Sequence, residues 1–175
     1  MQSRLSVSRK TYYALGMVAV ALSMAGALFV LFGRGMALLD NIAFVLTGLM
    51  FLFLAAVKGS DKREKTRYFL CFLLLLFGGG VVLVMPGLNR VAAALCWPVF
   101  LWYEELRQGG LRSPAWAVSG TEALSFVLWL LVVPGGQAAM ALPANLVWLF
   151  VTFARAWAIL TLYKAESARQ AEDRP

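Results

Sequence analysis

The chain has 175 residues, of which 61% are hydrophobic and 14% are charged, and its formal net charge is +7. An ordinary soluble domain is about 45–50% apolar and about 25% charged, so this chain has more hydrophobic surface than one small water-soluble core can bury. Its composition therefore excludes a soluble globular enzyme, a disordered tail and a conventional DNA-binding domain. It indicates an integral membrane protein.

The apolar segments are long enough to cross a bilayer as helices, which takes about 20 mostly apolar residues each. Open strands are excluded inside lipid because their backbone groups would be unpaired. The sequence thus predicts an all-α fold, a single polytopic transmembrane bundle of six helices over residues 1–175, with no separate soluble domain. The fourth segment is the shortest, because Pro98 interrupts it and Glu104 and Glu105 close it. The predicted spans are 12–33, 36–57, 67–86, 90–106, 114–133 and 140–162.

Lysine and arginine are concentrated in four regions: the N-terminus, the loops after the second and fourth spans, and the C-terminus. These regions hold 13 of the 16 basic residues. Because cytoplasmic loops carry the excess of basic residues, both termini are predicted to be cytoplasmic, in a bacterial inner membrane. The positive charge does not follow one face with interleaved aromatic residues, so it does not indicate a nucleic-acid partner.

Each pair of predicted spans consists of an apolar run, a Gly or Pro break, and a second apolar run. The breaks at Gly33, Pro86 and Pro134 are separated by 53 and 48 residues. A period of this size is typical of a repeated supersecondary unit. It predicts three helical hairpins of the same orientation, while an inverted three-plus-three repeat, common in transporters, stays open.

The chain resembles the HdeD-type family of small bacterial membrane proteins. The residues that carry the resemblance are Gly78-Gly79-Gly80 followed by Pro86-Gly87, and Gly120 followed by Pro134-Gly135, although the first hairpin has Gly33 where the family has proline. The resemblance covers nearly the whole chain and rests on this pattern. It implies a six-span, non-enzymatic protein of the inner membrane that acts in stress or acid tolerance, and it supplies no catalytic motif.

Two ionisable residues fall inside predicted spans, Glu122 in the fifth and Arg155 in the sixth. Each such residue costs about 2.5–3.5 kcal/mol on insertion scales, which makes it a candidate for function. Small polar residues share a helix face with each of them at three- and four-residue steps. The two polar faces comprise Ser119, Glu122, Ser125 and Trp129 on the fifth span and Asn145, Trp148, Thr152 and Arg155 on the sixth.

These faces have two interpretations. Glu122 and Arg155 form a structural ion pair, with the small polar residues holding the helices together, or the two faces line a path for protons or a small solute. Asp40 opens the second span near the outer face, where it either interacts favourably with the helix dipole or marks the mouth of such a path. Arg34 and Arg90 are its candidate partners.

The remaining chemistry-bearing residues give weaker signals. Adjacent helical residues point about 100° apart, so Glu104 and Glu105 are poorly placed to share a proton or a metal ion. They are predicted to lie at a solvated helix end and not in an active site. Cys71 and Cys96 show no metal or redox spacing and are predicted to lie at different depths, so no disulfide is expected. Histidine is absent, and neither a metal nor a cofactor is expected.

The sequence therefore favours a non-enzymatic membrane protein of the HdeD-like stress type. The alternative is a small channel or transporter for protons or a small solute. A membrane enzyme subunit ranks third, because the chain has no recognisable nucleophile–base pair or cofactor motif. The expected partner is the lipid bilayer; self-association stays open, and no protein partner is indicated.

Overall fold

The computed structural model describes residues 9–34, 37–57, 60–81, 88–132, 135–136 and 138–172. Within these ranges the chain forms six α-helices, and a short 3-10 helix, Ala138–Met140, precedes the last of them. The helices are α1 Arg9–Leu31, α2 Ala37–Ala55, α3 Lys62–Val81, α4 Leu88–Gln108, α5 Arg112–Val132 and α6 Ala141–Glu172. The all-α prediction is confirmed.

Four helices, α1, α2, α5 and α6, are long and apolar enough to cross a membrane, which is compatible with an integral membrane protein. In the part of the chain that the structure describes, α3 and α4 do not have a stretch that is both long enough and apolar enough by the same criterion. The reason is charge near their ends: α3 begins Lys62-Arg63-Glu64-Lys65, and α4 carries Arg90, Glu104, Glu105 and Arg107. That α3 and α4 also cross the membrane stays a prediction.

Local sequence explains where several helices begin and end. The Asp61 carboxylate accepts a hydrogen bond of 2.6 Å from the backbone N–H of Lys62, which caps the start of α3. Between α4 and α5 the chain turns through Gly109 and Gly110, with φ of 71° and 78°, angles that glycine adopts without a steric penalty. Gly33 turns in the same way after α1. The predicted breaks at Pro86 and Pro134 lie outside the described residues.

The six helices form a closed ring in chain order. Each helix packs against the next, and α6 packs against α1. Because neighbours are joined by connections of a few residues, consecutive helices run antiparallel. Contacts between the predicted hairpins are as extensive as contacts within them, so the repeated-hairpin interpretation stays a prediction.

The ring has two distinguishable ends. Arg9, Glu64 and Arg107 meet at the end where α1 and α3 begin and α4 finishes, here named the charged end. At the opposite or far end, Gly26 of α1 lies against the side chain of Asp40 of α2.

Between the two ends, aromatic side chains fill the interior. Phe51, Trp97 and Phe100 are at most 1% exposed. The Phe51 ring lies edge-on to Phe100 and Trp97, with centroids 5.1 and 6.2 Å away, an arrangement that stabilises aromatic pairs. These three residues form the aromatic layer of the bundle.

Candidate functional site inside the helix ring

Glu122 of α5 and Arg155 of α6 form an ion pair inside the ring. Arg155 Nε donates to Glu122 Oε1 over 2.6 Å, and Arg155 Nη2 lies 2.5 Å from the same oxygen. Glu122 is 1% exposed and Arg155 is 5% exposed. The second carboxylate oxygen, Oε2, is buried without a hydrogen-bond partner among the residues described. One oxygen therefore carries the contact and the other is available for a further donor.

Two indole rings lie close to the guanidinium of Arg155. Its central carbon lies 5.4 Å from the centroid of Trp97 on α4 and 5.0 Å from that of Trp148 on α6. A guanidinium within about 6 Å of an indole centroid is attracted by the ring quadrupole, and the attraction grows when the site is desolvated. Arg155 is thus held by groups from three helices, α4, α5 and α6.

A cavity of about 40 Å³ adjoins Arg155 on the side of the far end. A buried water needs about 10–15 Å³ of such volume, so the cavity has room for two or three waters or a small polar solute. Its polar lining consists of Ser23 from α1, Asp40 and Thr47 from α2, and Arg155 from α6, beside the indoles of Trp97 and Trp148.

The structure brings together some of the sequence-predicted site residues. Glu122 contacts Arg155, and Asp40 lines the same cavity as Arg155. The predicted partner Arg34 is exposed, whereas the side chain of Arg90 lies outside what the structure describes.

The small polar residues of the two predicted faces do not come together in one site. Ser119 Oγ donates to the Ala115 carbonyl over 2.7 Å and accepts from Trp102 Nε1 over 3.1 Å, which joins α5 to α4. Thr152 is fully buried and donates within its own helix to the Leu149 carbonyl over 2.7 Å. Ser125 is buried and Asn145 is half-buried. These four residues are outside the lining of the cavity described above.

Sequence reasoning missed a cluster of charged side chains at the charged end. Arg9 Nη1 donates to Glu64 Oε1 over 2.6 Å, and Arg9 Nη2 donates to Ser60 Oγ over 2.9 Å. Arg107 Nε lies 3.6 Å from the same Glu64 oxygen. Burial disfavours the charged form of Glu64, but the hydrogen bond and charge of Arg9 outweigh it, so the pKa of Glu64 lies below its ordinary value.

Glu104 completes this cluster, and its prediction as part of a solvated helix end is wrong. It is fully buried. It accepts hydrogen bonds from the Tyr68 hydroxyl, from Arg107 Nη2 over 2.7 Å and from Gln108 Nε2 over 3.2 Å. Arg107 Nη2 also lies 3.4 Å from the Tyr13 hydroxyl. The charged-end cluster therefore ties α1, α3 and α4 together.

The sequence contained a signal for both buried carboxylates in the helical spacing. Glu104 follows Trp97, Phe100 and Leu101 at steps of three and four residues, which places it on their inward face. Glu64 stands at the same spacing before Tyr68 and Cys71. Glu105, one position on, is half-buried instead and accepts a hydrogen bond from the backbone of Leu111 across the α4–α5 connection.

The prediction that the two cysteines lie at different depths is also wrong. Cys96 Sγ lies 3.4 Å from the backbone carbonyl of Cys71, and both thiols are buried and free. Helix α3 begins at Lys62, five residues before the predicted span at 67, which moves Cys71 further into the bundle.

Among the described residues, no three Cys, Asp or Glu side chains come together in a way that could hold a metal ion. No protein-family model, no curated protein and no solved structure matches this chain. The chemistry available to the site is that of a buried ion pair, a carboxylate and hydroxyl groups around a small cavity whose lining is otherwise apolar.

Proposed function

We propose that this chain is an inner-membrane protein without enzymatic activity that carries protons or a small polar solute through the interior of its helix ring. The observation that supports this most is the cavity lined by Asp40 and Arg155, inside a ring with four helices apolar enough for lipid. Ionisable groups at membrane depth are costly and characteristically mark solute or proton pathways.

The two ends of the ring give the proposed pathway a direction. The excess of lysine and arginine favours a cytoplasmic charged end, and in that orientation the cavity lies in the outer half of the bundle. Towards the cytoplasm, the aromatic layer and the charged-end cluster close the interior. Transport then requires these contacts to open, which is the behaviour of a gated carrier.

Glu122 has a supporting role in this proposal. It neutralises and orients Arg155, while Arg155 itself faces the cavity. The structural and the pathway interpretations of the pair are therefore compatible. Action in stress or acid tolerance is the biological setting that the HdeD-like resemblance supports, and proton movement through the ring fits that setting.

Flux measured in reconstituted vesicles tests the proposal. The informative variant is Glu122→Met with Arg155→Met, which removes both charges together and keeps similar side-chain volumes. We expect wild-type protein to give proton or small-solute flux above empty vesicles. In the double variant this flux should fall by at least about tenfold, since a polar solute or relaying water loses a charged hydrogen-bond partner at the cavity, worth about 1.5–3 kcal/mol.

Arg112→Gln is the matched control, because Arg112 is an exposed basic residue at the charged end. It should leave the flux unchanged. Wild-type flux no greater than that of empty vesicles would overturn the transport proposal and favour a structural or partner-binding protein. Full flux in a well-folded double variant would show that solutes do not pass Arg155.

A further inference from the structure

Helix α3 presents opposite chemistry on its two faces near the charged end. Glu64 and Tyr68 are buried in the ring, whereas the four basic residues around them are exposed. Because Glu64 turns inward to Arg9 and Arg107, its charge does not offset the basic residues on the outside. These four residues, named the α3 basic patch, are Lys62, Arg63, Lys65 and Arg67.

One acidic residue, Asp61, is exposed beside the patch. Its carboxylate accepts a hydrogen bond from the backbone of Lys62 as the helix cap. With four basic charges and this one acidic charge, the outer surface at the start of α3 has a formal excess of positive charge. A surface of this kind is complementary to an anion.

The outer face of α3 changes from basic to apolar within one helical turn. Phe69, Leu70, Leu73 and Leu74, which follow the patch, are all exposed large hydrophobic residues. In a bilayer this boundary lies at the level of the lipid headgroups, with the apolar residues on the acyl chains. Long basic side chains at such a boundary reach the headgroup phosphates.

Arg67 stacks on the ring of Tyr103 from α4, with its guanidinium carbon 4.3 Å from the ring centroid. Stacking on an aromatic face limits the orientations of the side chain and leaves the edge of the guanidinium available. The N–H groups on that edge have the fork geometry that binds phosphate oxygens in pairs. Arg67 and Tyr103 therefore give the patch a defined donor between α3 and α4.

From these contacts we propose that the α3 basic patch binds the phosphate of an anionic phospholipid headgroup, with the lipid chains on the apolar residues below it. This inference rests on the membrane insertion in the proposed function but is independent of transport. We assign a lipid to the patch because the apolar surface of α3 is continuous with it. A free phosphate would leave that apolar surface uncovered.

The test measures lipid selectivity at the protein surface. Full-length protein is reconstituted in phosphatidylcholine vesicles with a minor fraction of phosphatidylglycerol. Spin-labelled phosphatidylglycerol and phosphatidylcholine then report, by the fraction of immobilised label, the preference of the protein for the anionic lipid. Each basic residue near the headgroups contributes about fivefold to such a preference.

The patch variant is Arg63→Gln, Lys65→Gln and Arg67→Gln. Its matched control is Arg112→Gln, Lys164→Gln and Arg169→Gln, which removes two arginines and one lysine from other exposed positions at the same end. We expect the patch variant to lose about tenfold or more of the phosphatidylglycerol preference and the control to keep most of it. Helical content and elution volume check that both variants are folded.

Equal loss in the patch variant and the control would overturn the proposal in favour of diffuse surface charge. Absence of a phosphatidylglycerol preference in the wild type would also overturn it. A further measurement needs no variant: since headgroup contacts are screened by salt, the wild-type preference should fall as ionic strength rises. Flux through the ring is read separately, so a failed lipid result does not bear on transport.

Discussion

At the scale of single residues, the interior depends on two sets of ionic contacts with different surroundings. Glu122 and Arg155 meet deep in the ring, where they are 1% and 5% exposed. Arg9 and Glu64 meet at the charged end, with side chains 14% and 8% exposed. The first pair is the more deeply buried, although Arg155 also faces the cavity, while the second lies at the end of α3 near solution. The two pairs should therefore respond differently to substitution and to pH.

Replacing Glu122 alone should destabilise the bundle more than replacing both members of its pair. Glu122→Met leaves the charge of Arg155 uncompensated in the interior, which costs about 3–5 kcal/mol. Adding Arg155→Met removes that charge and should restore much of the free energy of unfolding. Denaturation of the detergent-solubilised protein measures both effects. A double variant at least as unstable as Glu122→Met would show that the buried charge is not the cause.

Glu64 should make stability depend on pH. The pKa of Glu64 in the folded protein lies below its ordinary value, which is about 4.3 in an unfolded chain. Its contacts with Arg9 and Arg107 therefore stabilise the fold above that ordinary pKa, and the contribution is lost as pH falls through the lower folded value. We expect Glu64→Gln to lower the free energy of unfolding by about 2 kcal/mol at neutral pH.

The difference between wild type and Glu64→Gln should shrink in acid, when the wild-type carboxyl is protonated too. Thermal unfolding across pH measures this difference in stability. The control is Glu172→Gln, because Glu172 is exposed. A deficit that is the same at every pH would show that the substitution acts through packing and not through charge.

At the scale of helices, close packing fixes how α1 sits between α2 and α6. At Gly16 the absence of a side chain lets α1 approach both neighbours. A Cβ at this position would overlap Met50 Sδ of α2 and come within 3.1 Å of Ile159 Cδ1 of α6. Small residues at such positions let membrane helices approach closely. The contact between α1 and α6 is also the one that closes the ring.

Gly16→Val should therefore separate these helices and lower the free energy of unfolding by about 3 kcal/mol. Gly16→Ala should cost less, because the flexible end of Met50 can shift. The matched control is Gly120→Ala on α5, where a Cβ would meet nothing within 4 Å and the change to alanine favours the helix by up to about 1 kcal/mol. Equal effects at Gly16 and Gly120 would exclude close packing as the cause.

At the scale of the whole molecule, the prediction of six membrane crossings depends on α3 and α4. These helices complete the ring between α2 and α5, yet the charges near their ends make them less apolar than the other four. The ring packs all six helices side by side, so a bilayer that surrounds α1, α2, α5 and α6 should surround α3 and α4 as well.

Labelling with a membrane-impermeant thiol reagent tests the six crossings. In a protein whose native cysteines are replaced by alanine, a cysteine at Gly87, between α3 and α4, should react from the same side as one at Arg34. A cysteine at Lys62 should react from the opposite side. Reaction at Gly87 and Lys62 from the same side would mean that α3 and α4 do not cross, and that the membrane contains four helices.

Much of the element structure was predictable, because helix length and hydrophobic composition are local properties. The observed helices begin and end within about five residues of the predicted spans, except that α6 continues to Glu172, ten residues past 162. The polar residues Lys164, Glu166 and Arg169 fall in this extension. They end an apolar run but do not end a helix, since they are good helix formers.

The sequence also identified Glu122, Arg155 and Asp40, since each is an ionisable residue in a segment otherwise suited to lipid. It did not show that Arg155 lies close to two indoles or that it shares a cavity with Asp40. Those facts depend on which faces of α1, α2, α4 and α6 meet. A helical pattern shows which residues share a face, but it does not show which helix packs against that face.

Hydrophobicity and helical periodicity act over one or two turns, so the helices, their approximate limits and the ionisable residues Asp40, Glu122 and Arg155 could be read from the sequence alone. Only the packing of the helices against one another shows that α6 closes on α1, that Cys71 adjoins Cys96, and that Glu64 and Glu104 turn inward to arginines. The physical reason is that a carboxylate enters a bundle only where a partner offsets its desolvation. For Glu64 that partner is Arg9, 55 residues away in the chain and 2.6 Å away in space.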